Sequence, residues 1–514
     1  MRPSTRSRAV VVLLALVLGG CAQLPQRPDL RYEAAVPEGS GSPLDEWIAG
    51  REQAHAGQSA FRLLSGGPEA FITRVKSANA ATRSIDVETY IWHGDTTGMH
   101  LAERLLAAAD RGVKVRLLVD DMDARASNAG FAALAAHDNI SVRMFNPFAS
   151  RSGKVSMMLE ALGSFSRINH RMHNKSWIVD NRLAVVGGRN LGDEYFGAGE
   201  EFNFVDLDFG MIGPVVRDIS SSFDDYWNSV ASYPMQVLHP EGVTKEALAK
   251  FREYLVQHRN EESIERYMFT LAADEDAQHL ISGQWPMQWS GQYTFAADNP
   301  LKAKLPEGDP ARTRVLTTLA PVLTGAKVDV AVISPYFVPG KNGTAALVKL
   351  VADGRQVRVL TNSLVANDVA AVHGGYERSR KPLLKGGVQI WELKPAGGTK
   401  SPSSVFGSSG ASLHTKAFIV DSDKVFLGSY NLDPRSTWLN CEQGVLVKNE
   451  ALATQLRSIY AAQINGEHAW KVSIASGKLS WTDGKETFGS DPKAGAWRRF
   501  QAWMAKTLHL DAQL

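Results

Sequence analysis

The sequence predicts an α/β protein in which two α/β/α-layered halves pack together as a pseudo-dimer. A five-position pattern occurs twice: His173, Lys175, Asp180, Gly187 and Asn190 return as His414, Lys416, Asp421, Gly428 and Asn431, at offsets of 2, 7, 14 and 17 from each histidine. Strand and helix periodicities alternate in the same order ahead of each copy. Gly112-Val113-Lys114-Val115-Arg116 also aligns with Gly354-Arg355-Gln356-Val357-Arg358 at an offset of 242, against 241 between the histidines, so the duplication reaches beyond the pattern.

Residues 1–20 read as a lipoprotein signal peptide, with Arg2, Arg6 and Arg8 ahead of an apolar run from Ala9 to Leu18 that is too short to span a bilayer. Leu18-Gly19-Gly20-Cys21 resembles a lipobox, making Cys21 the expected lipid attachment site; Ala22 in place of an aspartate favours the outer membrane, facing the periplasm. Residues 21–55, with Pro25, Pro28, Pro37 and Pro43 and a Gly-Ser-Gly-Ser run, are expected to be a tether. The first half, 56–235, opens with a strand over Ser84–Trp92, a helix over Met99–Ala109 and a strand over Val113–Val119. Residues 236–310 match neither half and read as a connector with a helix near Thr244–Gln257. The second half, 311–470, repeats the order with a strand at Val328–Ser334, a helix at Thr344–Ala352 and a strand at Gln356–Thr361. Residues 471–514 form a C-terminal tail, and the Gly/Ser-rich stretch Gly397–Gly410 is expected to act as a lid on the second motif.

Side chains two apart on a strand share a face, so His173 projects with Lys175 and His414 with Lys416. Each strand then turns at Asp180-Asn181 or around Asp421 to Lys424 and returns to a glycine where backbone must approach something closely, with Asn190 at a helix start. Histidine, lysine and asparagine converge at one end of the hairpin, whereas Asp180 and Asp421 lie at the other and read as turn or orienting residues. Two lysines and two amides suit a phosphoryl group. One imidazole can attack phosphorus while the other carries the proton, and the pattern calls for no cofactor and no metal. Glu201 and Glu442 each lie 28 residues after their own histidine and are placed to orient it; Glu200 is an equal alternative in the first half.

The chain resembles the phospholipase D superfamily, whose H-x-K-x4-D-x6-G-x2-N signature it carries twice. The segments RMHNKSWIVD, VVGGRNLGDEYFGAGEE, LTNSLVANDVAAVHGGYERSRKPLL and GSYNLDPRSTWLN bring it closer to the bacterial cardiolipin synthases of the C type, over roughly residues 55–510. The resemblance implies two phospholipase D-like halves and transfer of a phosphatidyl group to phosphatidylglycerol through a phosphohistidine, with His173 as nucleophile and His414 as acid and base. It implies phospholipid substrates, phosphatidylglycerol and possibly phosphatidylethanolamine, at a membrane surface. A hydrolase releasing phosphatidic acid is the alternative.

Composition bears on a third reading, a nuclease. The formal charge is +2 over 514 residues, and removing residues 1–20 leaves 53 basic against 54 acidic side chains, so no nucleic acid partner is expected. Oligomeric state is not legible. Arg167, His170 and Arg171 form either a headgroup-attracting cluster or a solvated basic loop. Asn362, Asn367, Asp368, His373 and Tyr376 either line the acceptor pocket or serve as turns and caps. Trp497, Phe500, Met504 and Leu508 fall at helical spacing among Arg498, Arg499 and Lys506, and this helix either docks on the protein core or rests on anionic lipid. Cys441 reads as a small buried residue.

Overall fold

The computed structural model describes residues 24–122, 128–149, 165–200, 202–258, 262–281, 283–367, 369–395 and 413–508. Cys21, Glu201, Asp368 and the expected lid 397–410 lie outside them.

Each half is built on one mixed sheet. The first contains β1 (Ser59–Leu64), β2 (Ser84–Thr89), β3 (Lys114–Asp120), β4 (Ile140–Phe145), β5 (Ser176–Val179), β6 (Leu183–Gly187), β7 (Asp208–Ile212), β8 (Ser232–Pro234) and β9 (Gln288–Ser290). The second contains β10 (Tyr293–Ala297), β11 (Asp329–Ile333), β12 (Gln356–Asn362), β13 (Gln389–Leu393), β14 (Ala417–Val420), β15 (Lys424–Gly428), β16 (Gln443–Lys448), β17 (Ala469–Ala475), β18 (Lys478–Thr482) and β19 (Thr487–Phe488). The strand orders are β8-β4-β3-β2-β5-β6-β7-β1-β9 and β10-β16-β15-β14-β11-β12-β13-β17-β18-β19. Read from opposite ends, they share one topology. In both, three parallel strands (β2–β4, β11–β13) are followed by an antiparallel hairpin (β5–β6, β14–β15). Each hairpin's first strand lies against the first parallel strand.

Strand alternation divides the apolar residues into three layers. On the outer face of the first sheet, Val87, Val115 and Leu117 pack under Phe71, Leu101, Leu105 and Phe131 of the covering helices. On the outer face of the second, Val330, Val332 and Val359 pack under Leu319, Leu347, Leu350 and Leu383. The inner faces form one shared core: Leu118, Ile178 and Phe209 join Ala331, Ile333, Leu360 and Ile419, with Phe223 and Leu456 from the helices Val215–Asn228 and Glu450–Gln463. The halves are therefore two α/β/α units sharing an apolar interior. Among the described residues, no helix is long and apolar enough to cross a membrane.

The motif aspartates fasten each hairpin to its sheet. Asp180 accepts hydrogen bonds from the backbone N–H groups of Thr82, Arg83 and Ser84 at 2.7–2.9 Å. Asp421 accepts from Lys327 and Val328, at 2.9 and 2.8 Å. Asp180, Asn181 and Asp421 adopt positive φ of 53–55°, a conformation Asp and Asn tolerate in tight turns. These aspartates anchor the turn and stand at the hairpin end remote from the histidines.

Three segments depart from the expected organisation. Residues 24–55 are not a free tether. Arg27 donates to Ser232 O at 2.8 Å, Ala35 N to Asp224 at 2.7 Å, and Trp227 Nε1 to Glu33 at 2.6 Å, so the chain lies extended across the first half. A helix then runs over Pro43–Glu52, started by a reciprocal Ser42–Asp45 capping box. The connector has its helix, at Lys245–His258, but also supplies β9 to the first sheet and β10 to the second. The expected tail is part of the second sheet, where β17 pairs with β13 and β18 and β19 follow outward.

Candidate active site

His173 and His414 stand just ahead of β5 and β14, on the segments that lead into the two hairpins. Lys175 Nζ donates to His173 O at 2.6 Å, and Lys416 Nζ donates to His414 O. Tyr90 presents its ring to His173 at 5.1 Å between centroids and lies 5.2 Å from Lys175 Nζ. Tyr195 and Phe204 flank His414 at 5.3 and 5.2 Å. Asn190 is buried, accepts from Ile91 N at 3.2 Å and donates to the Tyr195 hydroxyl at 2.9 Å. Asn190 precedes a helix at Asp193–Phe196 and does not start one. Asn431 is also buried, and its amide oxygen takes no hydrogen bond among the described residues.

The two halves exchange the carboxylates that orient these rings. His173 Nδ1 donates to Glu442 Oε2 at 3.0 Å, so Glu442, expected to serve His414 in its own half, serves the opposite half. His414 Nδ1 donates to Asp206 Oδ2 at 2.6 Å. Both carboxylates are fully buried. Glu200 is exposed and ion-paired with Arg266 at 2.9 Å, away from either ring. A carboxylate on Nδ1 fixes the proton there and leaves the Nε2 lone pair facing outward. Among the described residues, neither Nε2 takes a hydrogen bond.

Backbone pairing between the halves produces the exchange. His173 N donates to Cys441 O at 2.9 Å, and Cys441 N to Arg171 O at 2.8 Å. His414 N donates to Val205 O at 2.9 Å, the reciprocal contact. The segment that ends in Glu442 therefore lies beside the strand entering His173, and the segment carrying Asp206 lies beside the strand entering His414.

Asp206 escaped the sequence reading because it was sought at a fixed distance from a histidine. Gly187 pairs with Asp208 and Gly428 with Gly444, so counting back two residues reaches Asp206 in one half and Glu442 in the other. Nineteen residues separate Gly187 from Asp206 but fourteen separate Gly428 from Glu442. Aligning the apolar strands that follow, Phe209–Ile212 and Val445–Val447, would have found it. Gly187 and Gly428 answer the close approach expected of the motif glycines, since a Cβ there would stand 2.2 Å from Asp208 Oδ1 and from Gln443 O, and Gly188 likewise meets Asp206 Oδ1 at 2.2 Å. The second half has Ser429 at that place, and its hydroxyl donates to Glu442 at 2.5 Å.

Burial and two neighbouring ammonium groups set the electrostatics. Burial would raise the Asp206 carboxyl, but His414, Lys416 and Arg189 hold it below the usual carboxylate range. Burial would also raise Glu442, which His173, Ser429 and Lys175 bring down. Burial and the lysines push both histidines below their ordinary value against the pull of their carboxylates. Burial, then Lys416, lowers Lys175 to about 7. The site is built to hold an anion: two buried carboxylates ionised, two imidazoles neutral, and crowded lysines that a phosphoryl group would relieve.

Several neighbours have structural work. Arg171 is fully buried against Asp120 at 3.1 Å, and His170 lies between Leu439 O and Pro300 O at 2.6 and 3.0 Å. Arg167 donates to Pro147 O at 2.7 Å. This cluster is neither a solvated loop nor a lipid-facing patch. Asn362 brackets Leu413, donating to its carbonyl at 3.0 Å, and so positions the segment entering His414. His373 and Tyr376 belong to a buried network with Arg380, Glu392 and Asp491. Cys441 is buried beside Asn299 O, and burial pushes its thiol above the ordinary range, which leaves it inert as a nucleophile. Two groups offer metal-type ligands within 4.8 Å of one another, His93 with Asp95 and Glu194, and His373 with Glu377 and Asp491. Arg380 already faces Asp491 in the second.

Comparison with known proteins places these features in a family. The model of "Cardiolipin synthase, PLD-like domain" matches twice, over residues 75–227 and 319–463. Cardiolipin synthase C of Escherichia coli (strain K12) is 40% identical over 471 residues, covering 89% of this chain and 96% of that protein. Cardiolipin synthase B of the same strain is 25% identical over 406 residues, covering 78% and 80%. Among solved structures, phosphatidylserine synthase of Haemophilus influenzae Rd KW20 superposes with a TM-score of 0.57 at 13% identity, over 91% of this chain and 100% of that one, a likeness of fold.

The lowered Lys175 gives a pH dependence with a definite sign. An anion favours the charged lysine, so affinity is complete below about 7 and falls as pH rises through it. Sulfate keeps its charge over this range. Calorimetric titration is expected to show sulfate binding weakening by up to about tenfold per pH unit above 7, and Lys175→Met flattening the profile. Equal affinity from mildly acidic to alkaline pH in the intact protein would contradict this charge assignment.

Proposed function

The chain belongs to the cardiolipin synthase family of phospholipase D-like proteins, and we propose on that premise that it transfers a phosphatidyl group to phosphatidylglycerol, forming cardiolipin. It is an enzyme, a phospholipase D-type phosphatidyltransferase. One observation supports the chemistry above the others: two imidazoles, each held by a buried carboxylate from the opposite half and accompanied by a lysine.

In the proposed sequence His173 Nε2 attacks the donor phosphorus, forming a P–N bond as the P–O bond to the leaving headgroup breaks. Lys175 and Lys416, with the amides of Asn190 and Asn431, stabilise the charge on the phosphoryl oxygens. The unsatisfied Asn431 carbonyl suits a donor on the incoming substrate. The bound phosphodiester offsets the lysines and raises His414, which takes a proton from solvent onto Nε2 and passes it to the leaving alcohol. His414 next takes the proton of the acceptor hydroxyl, whose oxygen displaces the histidine; return of that proton to solvent as product leaves restores the free enzyme. Resemblance to the family supports this order of the two histidines. Phosphatidylglycerol or phosphatidylethanolamine serves as donor. Water in the second step would make the enzyme a hydrolase.

The address follows from the N-terminal segment. Cleavage before Cys21 and its acylation would fix the mature protein to the periplasmic face of the envelope, with the outer membrane favoured by Ala22.

Incubation with mixed phosphatidylethanolamine and phosphatidylglycerol vesicles is expected to yield cardiolipin by lipid mass spectrometry. His173→Ala should reduce it by at least about 10³-fold, as loss of a nucleophile requires. Phosphatidic acid without cardiolipin would replace the transferase with a hydrolase. For the anchor, mass spectrometry of the mature protein should find an acylated Cys21, and Cys21→Ser should abolish the modification. A mature N-terminus elsewhere would rule the lipobox out.

A further inference from the structure

The C-terminal helix, Ala496–Thr507, packs in an unusual sense for an amphipathic helix. Its small residues face the protein: Ala502 and Ala505 are buried, and Ala502 joins Leu364 and Ala370 in a small apolar cluster. The partner is the helix Ala370–Lys385, approached so closely that a Cβ on Gly374 would stand 2.3 Å from Ala502 O. The large residues face away. Trp497 is 65% exposed, Phe500 44%, Trp503 58%, Met504 41% and Leu508 61%. Trp497 and Phe500 stack at 5.5 Å and Phe500 and Trp503 at 5.9 Å, giving a continuous aromatic ridge.

The charged residues expected to accompany this stripe are engaged by the protein, Arg498 and Arg499 on backbone carbonyls and Lys506 in a part-exposed ion pair. Arg498 donates to the carbonyls of Leu364, Val365 and Asn367 at 2.8–3.2 Å. Arg499 donates to Ala494 O and Asp491 O, at 3.0 and 2.7 Å, and Lys506 pairs with Glu377 at 3.0 Å. The basic side chains clamp the helix; the aromatic ones are what it presents. The clamp also locates the ridge. Leu364–Asn367 follows β12 at the end where Asn362 brackets Leu413, the residue before His414. The ridge therefore stands at the catalytic end of the second sheet, where crevices of such sheets receive their ligands.

We propose that this ridge is a phospholipid-surface contact that seats the second half on the bilayer with the His414 end toward its substrates. The inference rests on the phosphatidyltransferase reading, which requires substrates held in a membrane by two acyl chains. Tryptophan favours the boundary between headgroups and acyl chains, and a helix of about 18 Å lying in that plane would insert all five side chains together. With Arg498, Arg499 and Lys506 engaged, the contact draws on apolar insertion and not on anionic lipid. Of the two readings of this helix, docking on the protein core is what Ala502 and Ala505 show, and the lipid contact proposed here adds to it without the anionic attraction.

The test uses the full chain on phosphatidylcholine vesicles with or without brominated acyl chains, which quench only tryptophans inserted beside them. The fluorescence lost on Trp497→Phe/Trp503→Phe substitution isolates those two residues whether or not the N-terminus also anchors the protein. That component is expected to be quenched by brominated lipid, equally at low and high salt and without phosphatidylglycerol. A second variant, Trp497→Ser/Phe500→Ser/Trp503→Ser, should slow turnover of vesicle-borne phosphatidylglycerol on the order of tenfold while leaving turnover of dispersed short-chain phosphatidylglycerol unchanged. Equal brightness on both vesicle types would overturn the proposal, as would a dimer in solution that the triple variant dissociates, since a second copy would then cover the ridge. Absence of cardiolipin from the intact enzyme on either substrate would instead remove the functional reading, and the quenching would still decide the ridge.

Discussion

The exchange of carboxylates between the halves is the interaction on which the site depends. Glu442 and Asp206 are fully buried, and each faces the imidazole of the opposite half. Removing one partner leaves a buried carboxylate or imidazole without its hydrogen bond, a cost of about 1–3 kcal/mol and more when the group left behind is charged. Neither half alone supplies a histidine with its orienting group, so the shared core between the sheets has a chemical consequence as well as a mechanical one. The backbone bonds from His173 N to Cys441 O and from His414 N to Val205 O set the register in which the exchange occurs. Duplication with reciprocal contact makes both pairs from one geometry, as in an isologous interface.

The copies are not chemically identical. Asp206 approaches its histidine across Gly188, whereas Glu442, one methylene longer, is held by Ser429 and Ser436 at 2.5 and 2.8 Å. Glu88 lies under the first motif, accepting from Asn174 at 3.1 Å, and burial raises its carboxyl to about 8. The corresponding strand position in the second half is Ile333, each residue standing four places after the strand residue held by its motif aspartate. The strand face opposite His173, carrying Asn174 and Ser176, therefore rests on a carboxyl where the second half has hydrocarbon.

Local periodicity made much of this legible. A two-residue spacing put His and Lys on one face, the turn aspartates fell at the far hairpin end, and the alternating strands and helices gave the layered halves. What stayed hidden was set by contacts distant in sequence. Arg171 reads as a loop cation until Asp120, fifty-one residues earlier, is seen beside it. Asp206 was displaced by a longer loop, and the exchange itself has no signature within either copy. Residues 24–55 look like a tether because their hydrogen-bond partners, Asp224, Asn228 and Ser232, lie some two hundred residues away. The C-terminal helix showed its amphipathic spacing plainly, but that Gly374 and two alanines form the docking face depends on a helix far upstream.

Histidine ¹⁵N NMR tests the exchange most directly, because the two ring nitrogens report which one carries the proton and what it faces. In the intact protein both His173 and His414 are expected to be neutral and protonated on Nδ1. Glu442→Gln should then shift the His173 Nδ1 resonance and leave His414 in place, and Asp206→Asn should do the reverse. A Glu442→Gln change that moved His414 while sparing His173 would contradict the account and return each carboxylate to the histidine of its own half.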